Sequence, residues 1–443
     1  MKKLLKVSLV LCLVLSLVIA GCSKKEAEKP AASNDAKTKA TPAPEIKDIT
    51  LKITHWIPES KEIVEKIGAA FTKANPGVKI EFSILPGDQY GNVLKTKLLA
   101  GDGPDVFFNF HGSANDYAAN DLLGDFTGSP IYDRLAPAFK KLNAKGQFVS
   151  VPLDYGAHGV YYNKTIFQQL GVQPPNNYAG FIALCETIKK AGITPLALGA
   201  KDQWQITNQF LPIFVSLSKA KRPNLNADLF DGTAKYSDPE FALSYKVEEE
   251  LVQKGFFDKG VMGITWPQAA ADFAAGKAAM FITGSFVVAA AIENNPKMQI
   301  GYFPFPADTG DPAILVAVNS DLEYNAKGKN TKLSKKFIEF FTEPANVKMY
   351  NEISVLKNAS TFTDVELQLP PATLEVMENA KKYKSFNTEI FFPGQIGVLI
   401  NDMMNGIMAG QKFDAKKLEQ ANKLLPDEKK ANDKLIRPTE EAK

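Results

Sequence analysis

The sequence predicts an α/β fold, because strand-like and helix-like segments alternate from residue 48 onward. DITLKITHW (48–56) and VKIEFSIL (78–85) have the apolar content of strands, and KEIVEKIGAAFTKAN (61–75) between them repeats apolar residues at helical spacing. A further helix, NVLKTKLLAGDG (92–103), leads into a third strand, DVFFNF (105–110). This order favours a largely parallel sheet with helices packed against it.

The rest of the chain continues the same alternation. Strands are predicted at FVSVPL (148–153), GVYYN (159–163), the end of GKAAMFITGSF (276–286), IGYFPFP (300–306) and AILVAVNS (313–320). Helices are predicted at 164–171, 178–191 and 238–255, on both sides of Pro344 within 332–353, and at 400–410 and 414–425. With 443 residues, the chain is long enough for two or three ordinary domains or one large two-lobed unit.

The charge balance argues against a nucleic-acid partner. The chain has 52 basic and 49 acidic residues, and Lys2, Lys3 and Lys6 lie in its first six positions. Without residues 1–21, 49 basic residues face 49 acidic ones. A nucleic-acid-binding protein would normally show a basic surplus. The proportions of apolar and charged residues, 45% and 23%, are those of a soluble globular protein.

The N-terminus predicts a lipoprotein signal peptide over residues 1–21. The lysines precede VSLVLCLVLSLVIA (7–20), which as a helix would span about 21 Å, short of the ~30 Å hydrocarbon core of a membrane. Ile19-Ala20-Gly21-Cys22 resembles a bacterial lipobox, which implies diacylglycerol on the Cys22 thiol and cleavage before it. Residues 22–47 have no aromatic residue, so we expect a flexible tether. The protein is thus expected outside the cytoplasm, anchored to the membrane by lipid.

Four motifs in order resemble the extracellular solute-binding proteins of ABC importers, in their carbohydrate-binding branch. They are LLAGDGPDVF (98–107), SVPLDYGAHGVYYNKTIFQQLGVQPP (150–175), FAAGKAAMFITGSF (273–286) and MAGQKFDAKKLEQAN (408–422). The sequence departs from the family pattern at Tyr178 and Phe286, where tryptophan is common, and at ISVLKNA (353–359). The Phe286 departure weakens the assignment of a particular sugar.

The resemblance implies a two-lobed periplasmic-binding-protein-like fold with the ligand cleft between the lobes, each lobe having a mostly parallel sheet. Lobe 1 is predicted to comprise residues 48–158 and 287–322, and lobe 2 residues 159–286 and 323–443. Such a protein captures a sugar or oligosaccharide by closure of the lobes and delivers it to ABC permease subunits in the membrane. We expect a monomer.

A sugar pocket needs flat aromatic faces for the ring and polar side chains for the hydroxyls. In α/β lobes, ligands lie at the carboxyl ends of strands. Trp56 ends the first strand, where as a core residue it would break the Leu51/Ile53 alternation. Asp154 and Tyr155 follow the VPL strand at the predicted lobe crossing. The alternative for Asp154 is a hinge aspartate that caps local backbone.

The resemblance adds candidates in both lobes. It implies ligand contacts after DVFF, with a plain turn as the alternative, an aromatic-bearing loop around residue 204, and a stacking aromatic at residue 286. The predicted ligand-binding residues are Trp56, Asn109, His111, Asp154, Tyr155, Trp204 and Phe286. Secondary candidates are Glu59, Phe110, Asp202, Trp266, Ser285 and Gln395, although the core is the favoured place for the segment that contains Gln395.

No sequence motif supports a metal, a cofactor or catalysis. The three histidines are far apart in sequence, and CxxC, HExxH, acidic calcium-loop, P-loop and G-x-S-x-G motifs are lacking. Cys185 lies in an apolar helical pattern and is predicted to be a small buried hydrophobe. We expect a receptor rather than an enzyme. The open alternatives are the same fold with a non-sugar solute, and an anchored extracellular carbohydrate-active enzyme, since carboxylates are plentiful.

Overall fold

The computed structural model of the protein describes residues 48–85, 87–110, 114–143, 145–353, 357–386 and 392–431. The predicted signal peptide, the predicted lipidation site Cys22, the predicted tether and His111 lie outside these residues. Within the described ranges, no helix is both long enough and apolar enough to cross a membrane.

The first part of the chain supplies four strands and the helices between them. In chain order these are β1 (Ile49–His55), α1 (Lys61–Ala74), β2 (Val78–Ile84), α2 (Gly87–Leu99), β3 (Val106–Asn109), α3 (Ala114–Ala119), α4 (Ile131–Arg134) and β4 (Val151–Pro152). The β1-α1-β2-α2-β3 order agrees with the alternation predicted from the sequence.

The central part is richer in helices. Its elements are β5 (Asp154–Asn163), α5 (Lys164–Leu170), α6 (Tyr178–Lys190), β6 (Thr194–Ala197), α7 (Trp204–Phe214), α8 (Leu225–Asp231), α9 (Pro239–Gln253), α10 (Trp266–Ala274), β7 (Ala278–Gly284), α11 (Phe286–Asn294), β8 (Ile300–Phe303) and β9 (Ala313–Val318). Asn163 caps α5, because its side chain accepts hydrogen bonds from the backbone N–H groups of Thr165 and Ile166.

The last part returns to the first sheet before it completes the second. Its elements are β10 (Asp321–Tyr324), α12 (Thr331–Phe341), α13 (Pro344–Ile353), β11 (Ala359–Ser360), α14 (Pro371–Lys382), β12 (Lys384–Phe386), α15 (Gly394–Met408) and α16 (Ala415–Ala431). Pro344 separates α12 from α13 as predicted, since proline is tolerated in the first turn of a helix and not in its interior.

The strands form two mixed sheets. The order in the first is β2-β1-β3-β10-β4, and in the second it is β12-β9-β5-β7-β6, with β8 and β11 also paired to β5. β1 is parallel to β2 and β3, but β10 is antiparallel to β3 and β4. β5 is antiparallel to β7, β8, β9 and β11. The predicted α/β class is confirmed, whereas the sheets are not mostly parallel, because β5 and β10 enter their sheets at the edge where neighbouring strands end.

Each sheet is covered on both faces by helices. In lobe 1, Phe71 of α1, Phe337 of α12 and Tyr350 of α13 pack on one face, and Tyr90 and Leu94 of α2 pack on the other. In lobe 2, α6, α7, α9 and α15 share one apolar core, and α10, α11 and α14 share a second. Cys185 is fully buried in the first of these, and burial raises the pKa of its thiol.

The predicted lobe boundaries are wrong. β5 (Asp154–Asn163) lies in the second sheet, so residues 154–158 belong to lobe 2 rather than lobe 1. Larger errors lie in the second half of the chain. β8 and β9 pair with β5, so residues 287–318 belong to lobe 2 rather than lobe 1. The apolar faces of α12 and α13 pack on the first sheet, so residues 323–353 belong to lobe 1 rather than lobe 2. Lobe 1 thus contains residues 48–153 and 319–353, and lobe 2 contains residues 154–318 and 371–431. The sequence order of strands does not reveal which sheet each strand joins, because strand pairing is non-local.

Within the described residues, the chain crosses between the lobes at three places. The first lies between β4 and β5 and the second between β9 and β10. At the third, Ala359 pairs with Tyr155 of the second sheet, while Phe362 pairs with Leu135 of lobe 1. β1 and β3 end at the edge of the first sheet where β10 begins, and β7 ends at the edge of the second sheet where β5 begins. Residues that follow β1, β3 and β7 therefore lie on the crossing side of their lobes.

Candidate functional site

In lobe 1, the loops that follow β1 and β3 bring Trp56 and Phe110 together. Their ring centroids are 4.2 Å apart, and the ring of Phe110 is 37% exposed. Tyr90 supports both rings from below, with centroids 5.5 Å from Trp56 and 5.9 Å from Phe110. The Tyr90 hydroxyl donates a 2.5 Å hydrogen bond to the carbonyl of Phe108, and this bond fixes the position of the Tyr90 ring. The result is a partly exposed aromatic surface, the lobe 1 face, at the strand ends.

His55, a residue not predicted for the site, sets the position of Trp56. Its Nδ1 accepts hydrogen bonds from the backbone N–H groups of Trp56 (2.8 Å) and Ile57 (2.9 Å). Its ring stacks on Phe108, with centroids 4.1 Å apart. Burial lowers the pKa of His55 to about 3, so the ring is neutral at physiological pH and Nδ1 stays available as an acceptor. In the sequence, the only signal for this role is that His55 directly precedes Trp56.

Asn109 also acts through its neighbour. It is fully buried, its Nδ2 donates to Oε2 of Glu323 (2.8 Å), and its Oδ1 accepts from the backbone N–H of Phe110 (2.9 Å). Both ends of the amide are therefore engaged within lobe 1, and their effect is to orient Phe110. Glu59 is exposed, in the short 3-10 helix Pro58–Ser60 that follows β1.

In lobe 2, three predicted residues converge on a second aromatic surface, the lobe 2 face. The ring centroids of Trp204 and Trp266 are 5.6 Å apart, those of Trp204 and Phe286 are 5.7 Å apart, and those of Trp266 and Phe286 are 5.1 Å apart. Trp204 is 39% exposed, and the other two rings are half-buried. Trp204 begins α7, Trp266 begins α10, and Phe286 begins α11 directly after β7.

Asp202 joins two of the loops that carry these rings. Its Oδ2 accepts a 2.6 Å hydrogen bond from the backbone N–H of Trp266. The backbone N–H of Lys201 donates to the carbonyl of Ile264 at 3.0 Å, which ties the same loops together. A Cβ on Gly199 would come within 2.6 Å of the Trp266 backbone nitrogen, so glycine is required for this close approach. Asp202 thus positions Trp266.

Two polar residues that the sequence did not identify lie beside the lobe 2 face. Nε2 of His158 is 2.7 Å from Oδ1 of Asn208, and Nδ2 of Asn208 donates to the carbonyl of Trp204 at 3.0 Å. The His158 ring meets Phe286 edge-on, with centroids 6.4 Å apart. Burial lowers the pKa of His158 to about 4, against the opposite effect of the Asn208 hydrogen bond. The spacing of Trp204 and Asn208, four residues apart on α7, was the available sequence signal.

Asp154 lies in the crossing rather than on either aromatic face. It is 1% exposed, and its Oδ1 accepts a 3.0 Å hydrogen bond from Nδ2 of Asn358. Oδ1 of Asn358 accepts in turn from the hydroxyl of Ser285 at 2.6 Å. Burial raises the pKa of Asp154 to about 7, opposed by hydrogen bonds from Asn358 and Asn319, while nearby Asp321 adds to the rise. This chain of bonds links the first and third crossings to Ser285, the residue before Phe286.

The remaining candidates are more dispersed. Tyr155, also in the crossing, packs its ring against Phe139 of lobe 1 with centroids 4.8 Å apart. Gln395 is exposed, and its backbone N–H donates to Oε1 of Glu428 at 2.7 Å, so it lies against α16. Among the described residues, no group of three or more His, Cys, Asp or Glu side chains is placed to hold a metal ion.

The sequence of residues 57–348 matches the family model described as bacterial extracellular solute-binding protein. The chain belongs to this family. The family expected from the four sequence motifs is thus confirmed. Its members are binding proteins rather than enzymes. Because the family is described as extracellular, this protein functions outside the cytoplasm.

Individual relatives agree with this assignment. The chain is 29% identical to the multiple sugar-binding protein of Streptococcus mutans over 332 residues, covering 72% of this chain and 76% of that one. It is 26% identical to the melibiose/raffinose/stachyose-binding protein of Bacillus subtilis over 363 residues, covering 79% and 80%. The crystal structure of a sugar transporter from Bacillus licheniformis in complex with stachyose superposes with a TM-score of 0.71 at 20% identity, covering 85% and 98%. That structure shows a shared fold.

Proposed function

We propose that this solute-binding protein captures a sugar or oligosaccharide between its lobes. The observation that carries the proposal is the pair of aromatic faces, one in each lobe, both on the crossing side. The faces of aromatic rings suit the apolar C–H faces of sugar rings, and binding to both lobes favours the closed form. The relatives from S. mutans and B. subtilis, whose names describe sugar binding, support the same ligand class.

The protein acts by binding alone and delivers its cargo to an ABC permease in the membrane. The carboxylates described at the lobe 2 face and in the crossing hold the protein's own groups: Oδ2 of Asp202 accepts from the Trp266 backbone N–H, and Oδ1 of Asp154 accepts from Asn358. We place the mature N-terminus at Cys22, held by diacylglycerol, with residues 23–47 as the tether. Two acyl chains give the stable form of membrane anchoring.

The test is ligand binding by the mature chain without its lipid. Melting temperature is measured with and without melibiose, raffinose, stachyose, maltotriose and xylotriose, and isothermal titration follows for each sugar that raises it. A ligand at 100 times its dissociation constant stabilises the folded state by about 2.7 kcal/mol, which gives a clear upward shift. Product analysis after long incubation of the same mixtures tests for turnover, and any cleavage of the sugar would contradict the receptor proposal.

Variants connect the binding to the aromatic faces. Trp204→Ala and Phe110→Ala should each weaken binding by about 10-fold or more, since they remove an exposed ring. Leu99→Ala is the matched control, because Leu99 is an exposed apolar residue at the end of α2 remote from Tyr90. Equal affinities for the three variants and the wild type would place the ligand elsewhere. Metabolic labelling with palmitate, compared between wild type and Cys22→Ala, tests the anchor.

A further inference from the structure

Asn208 projects from the same side of α7 as Trp204, one helical turn further along, and is half-buried beside the lobe 2 face. Its side-chain amide contacts both sides of that face: the carbonyl of Trp204 on one side, and His158, which meets Phe286 edge-on, on the other. An uncharged polar group thus stands between two aromatic residues that are proposed to stack on a sugar.

The orientation of this amide follows from its partners. The carbonyl of Trp204 can only accept, so the amide nitrogen of Asn208 faces it and Oδ1 faces His158. His158 must then carry its hydrogen on Nε2 and donate it to Oδ1. Nδ1 of His158 is buried and has no hydrogen-bond partner among the described residues, which agrees with a neutral ring that donates only to Asn208.

The amide keeps one N–H and one oxygen lone pair after these two bonds. A sugar hydroxyl both donates and accepts, so it matches this remaining pair, whereas a carboxylate or an ammonium group matches only half of it. We propose that Asn208 binds a hydroxyl of a neutral sugar stacked on the lobe 2 face and that His158 is the positioning residue for its amide. This inference rests on the proposed sugar-binding function and adds a polar determinant of specificity to it.

The test uses isothermal titration of the wild type and variants with whichever of melibiose, raffinose, stachyose, maltotriose and xylotriose binds the wild type most tightly. Asn208→Ala should weaken binding by about 10-fold or more, because hydrogen bonds to the sugar are lost. Asn379→Ala is the matched control: Asn379 is also half-buried on a helix, with its Nδ2 bonded to a carbonyl four residues earlier. It should bind as the wild type does.

Rescue separates positioning from general packing at His158. His158→Gln places an amide N–H where Nε2–H lies and should keep affinity within about 3-fold of wild type, whereas His158→Phe, which cannot donate, should lose about as much as Asn208→Ala. Equal affinities for these two variants would overturn the positioning role. If His158→Phe does not fold, Asn208→Asp decides, because it keeps the shape and removes both amide hydrogens: a loss of about 10-fold supports the inference and unchanged binding overturns it.

Trp204→Ala distinguishes failure of the proposed sugar binding at the lobe 2 face from failure of the role inferred for Asn208. If Trp204→Ala loses affinity and Asn208→Ala does not, sugar binding at this face stands and the role of Asn208 is overturned. If the wild type binds none of the five sugars, or if Trp204→Ala has no effect, the proposed function fails at this face and the inference fails with it.

Discussion

Asp154→Asn should stabilise the protein above pH 7 and leave its stability almost unchanged near pH 4. The pKa of this carboxyl is raised from 3.8 to about 7, chiefly by burial. Between these pH values, the unfolded state has released a proton that the folded state still holds. Stability falls with rising pH wherever the folded state binds more protons, so the wild type loses stability over this window. Asparagine does not titrate, and its Oδ1 can still accept the hydrogen bond from Asn358.

The magnitude follows from the difference between the two pKa values. About 3 pKa units at about 1.36 kcal/mol each give a gain of about 4 kcal/mol for Asp154→Asn above pH 7. This is an upper bound, because the variant exchanges a hydrogen bond between Asn358 and a charged oxygen for a weaker one to an amide. The gain should grow steadily from about pH 4 to about pH 7 and then level off.

Urea unfolding followed by tryptophan fluorescence at pH 4, 5, 6, 7 and 8 gives the difference in free energy of unfolding between variant and wild type. Asp402→Asn is the control, because Asp402 is exposed on α15 and lies outside the crossing. A difference for Asp154→Asn that is the same at every pH, or that grows toward low pH, would refute the reasoning, since it would mean that folding does not raise the pKa of the buried carboxyl.

Three further predictions concern side chains that hold the fold and the faces in place. Gly156→Ala should destabilise the protein by about 1–3 kcal/mol in urea unfolding, because the new Cβ would come within 1.6 Å of the Ser285 hydroxyl; adding Ser285→Ala should recover part of the loss. Asp202→Ala should cost about 1–3 kcal/mol by leaving the Trp266 N–H unpaired and should change tryptophan fluorescence, whereas Asp202→Asn, which keeps an acceptor, should change both less. Glu248→Gln should stabilise the protein at pH 9 but not at pH 4, because burial raises the pKa of Glu248 from 4.5 to about 8, and the measurement is again unfolding against pH. If Gly156→Ala or Asp202→Ala leaves the free energy of unfolding unchanged, the corresponding structural argument is contradicted. A stabilisation by Glu248→Gln that is the same at every pH would contradict the argument for Glu248.

The sequence predicted the elements well where the signal is local. The helical spacing of α1, the helix–strand order of lobe 1 and the break at Pro344 depend on neighbouring residues, and the structure agrees with each. Lobe membership was mispredicted for β8, β9, α12 and α13, because it depends on pairing and packing with residues far away in sequence. The antiparallel pairing of β5 with β7 and β9, where a mostly parallel sheet was predicted, also depends on contacts between residues far apart in sequence.

The aromatic candidates for the site were easier to predict from the sequence than the polar ones. Trp204 and Phe286 were identified singly from the family resemblance, and Trp266 was a secondary candidate; their contact with one another required the fold. Polar side chains are harder to assign from sequence, because the same amide or carboxylate can face a ligand or a neighbour. Asn109 and Asp154 were predicted to contact ligand, and in the structure both are buried and engaged by Glu323 and Asn358.

Polar side chains behind the aromatic faces fix the positions of the rings by hydrogen-bonding the backbone that carries them. A ring at a loop tip has rotational freedom, and losing it on binding costs affinity, so a receptor gains when the ring is held beforehand. Here His55 and Asn109 hold the backbone of Trp56 and Phe110, and Asp202 holds that of Trp266. Ser285, bonded through Asn358 to Asp154, connects the start of α11 with the first and third crossings. In the proposed site, this chain of bonds would support Phe286 from behind without any of its members having to touch the ligand.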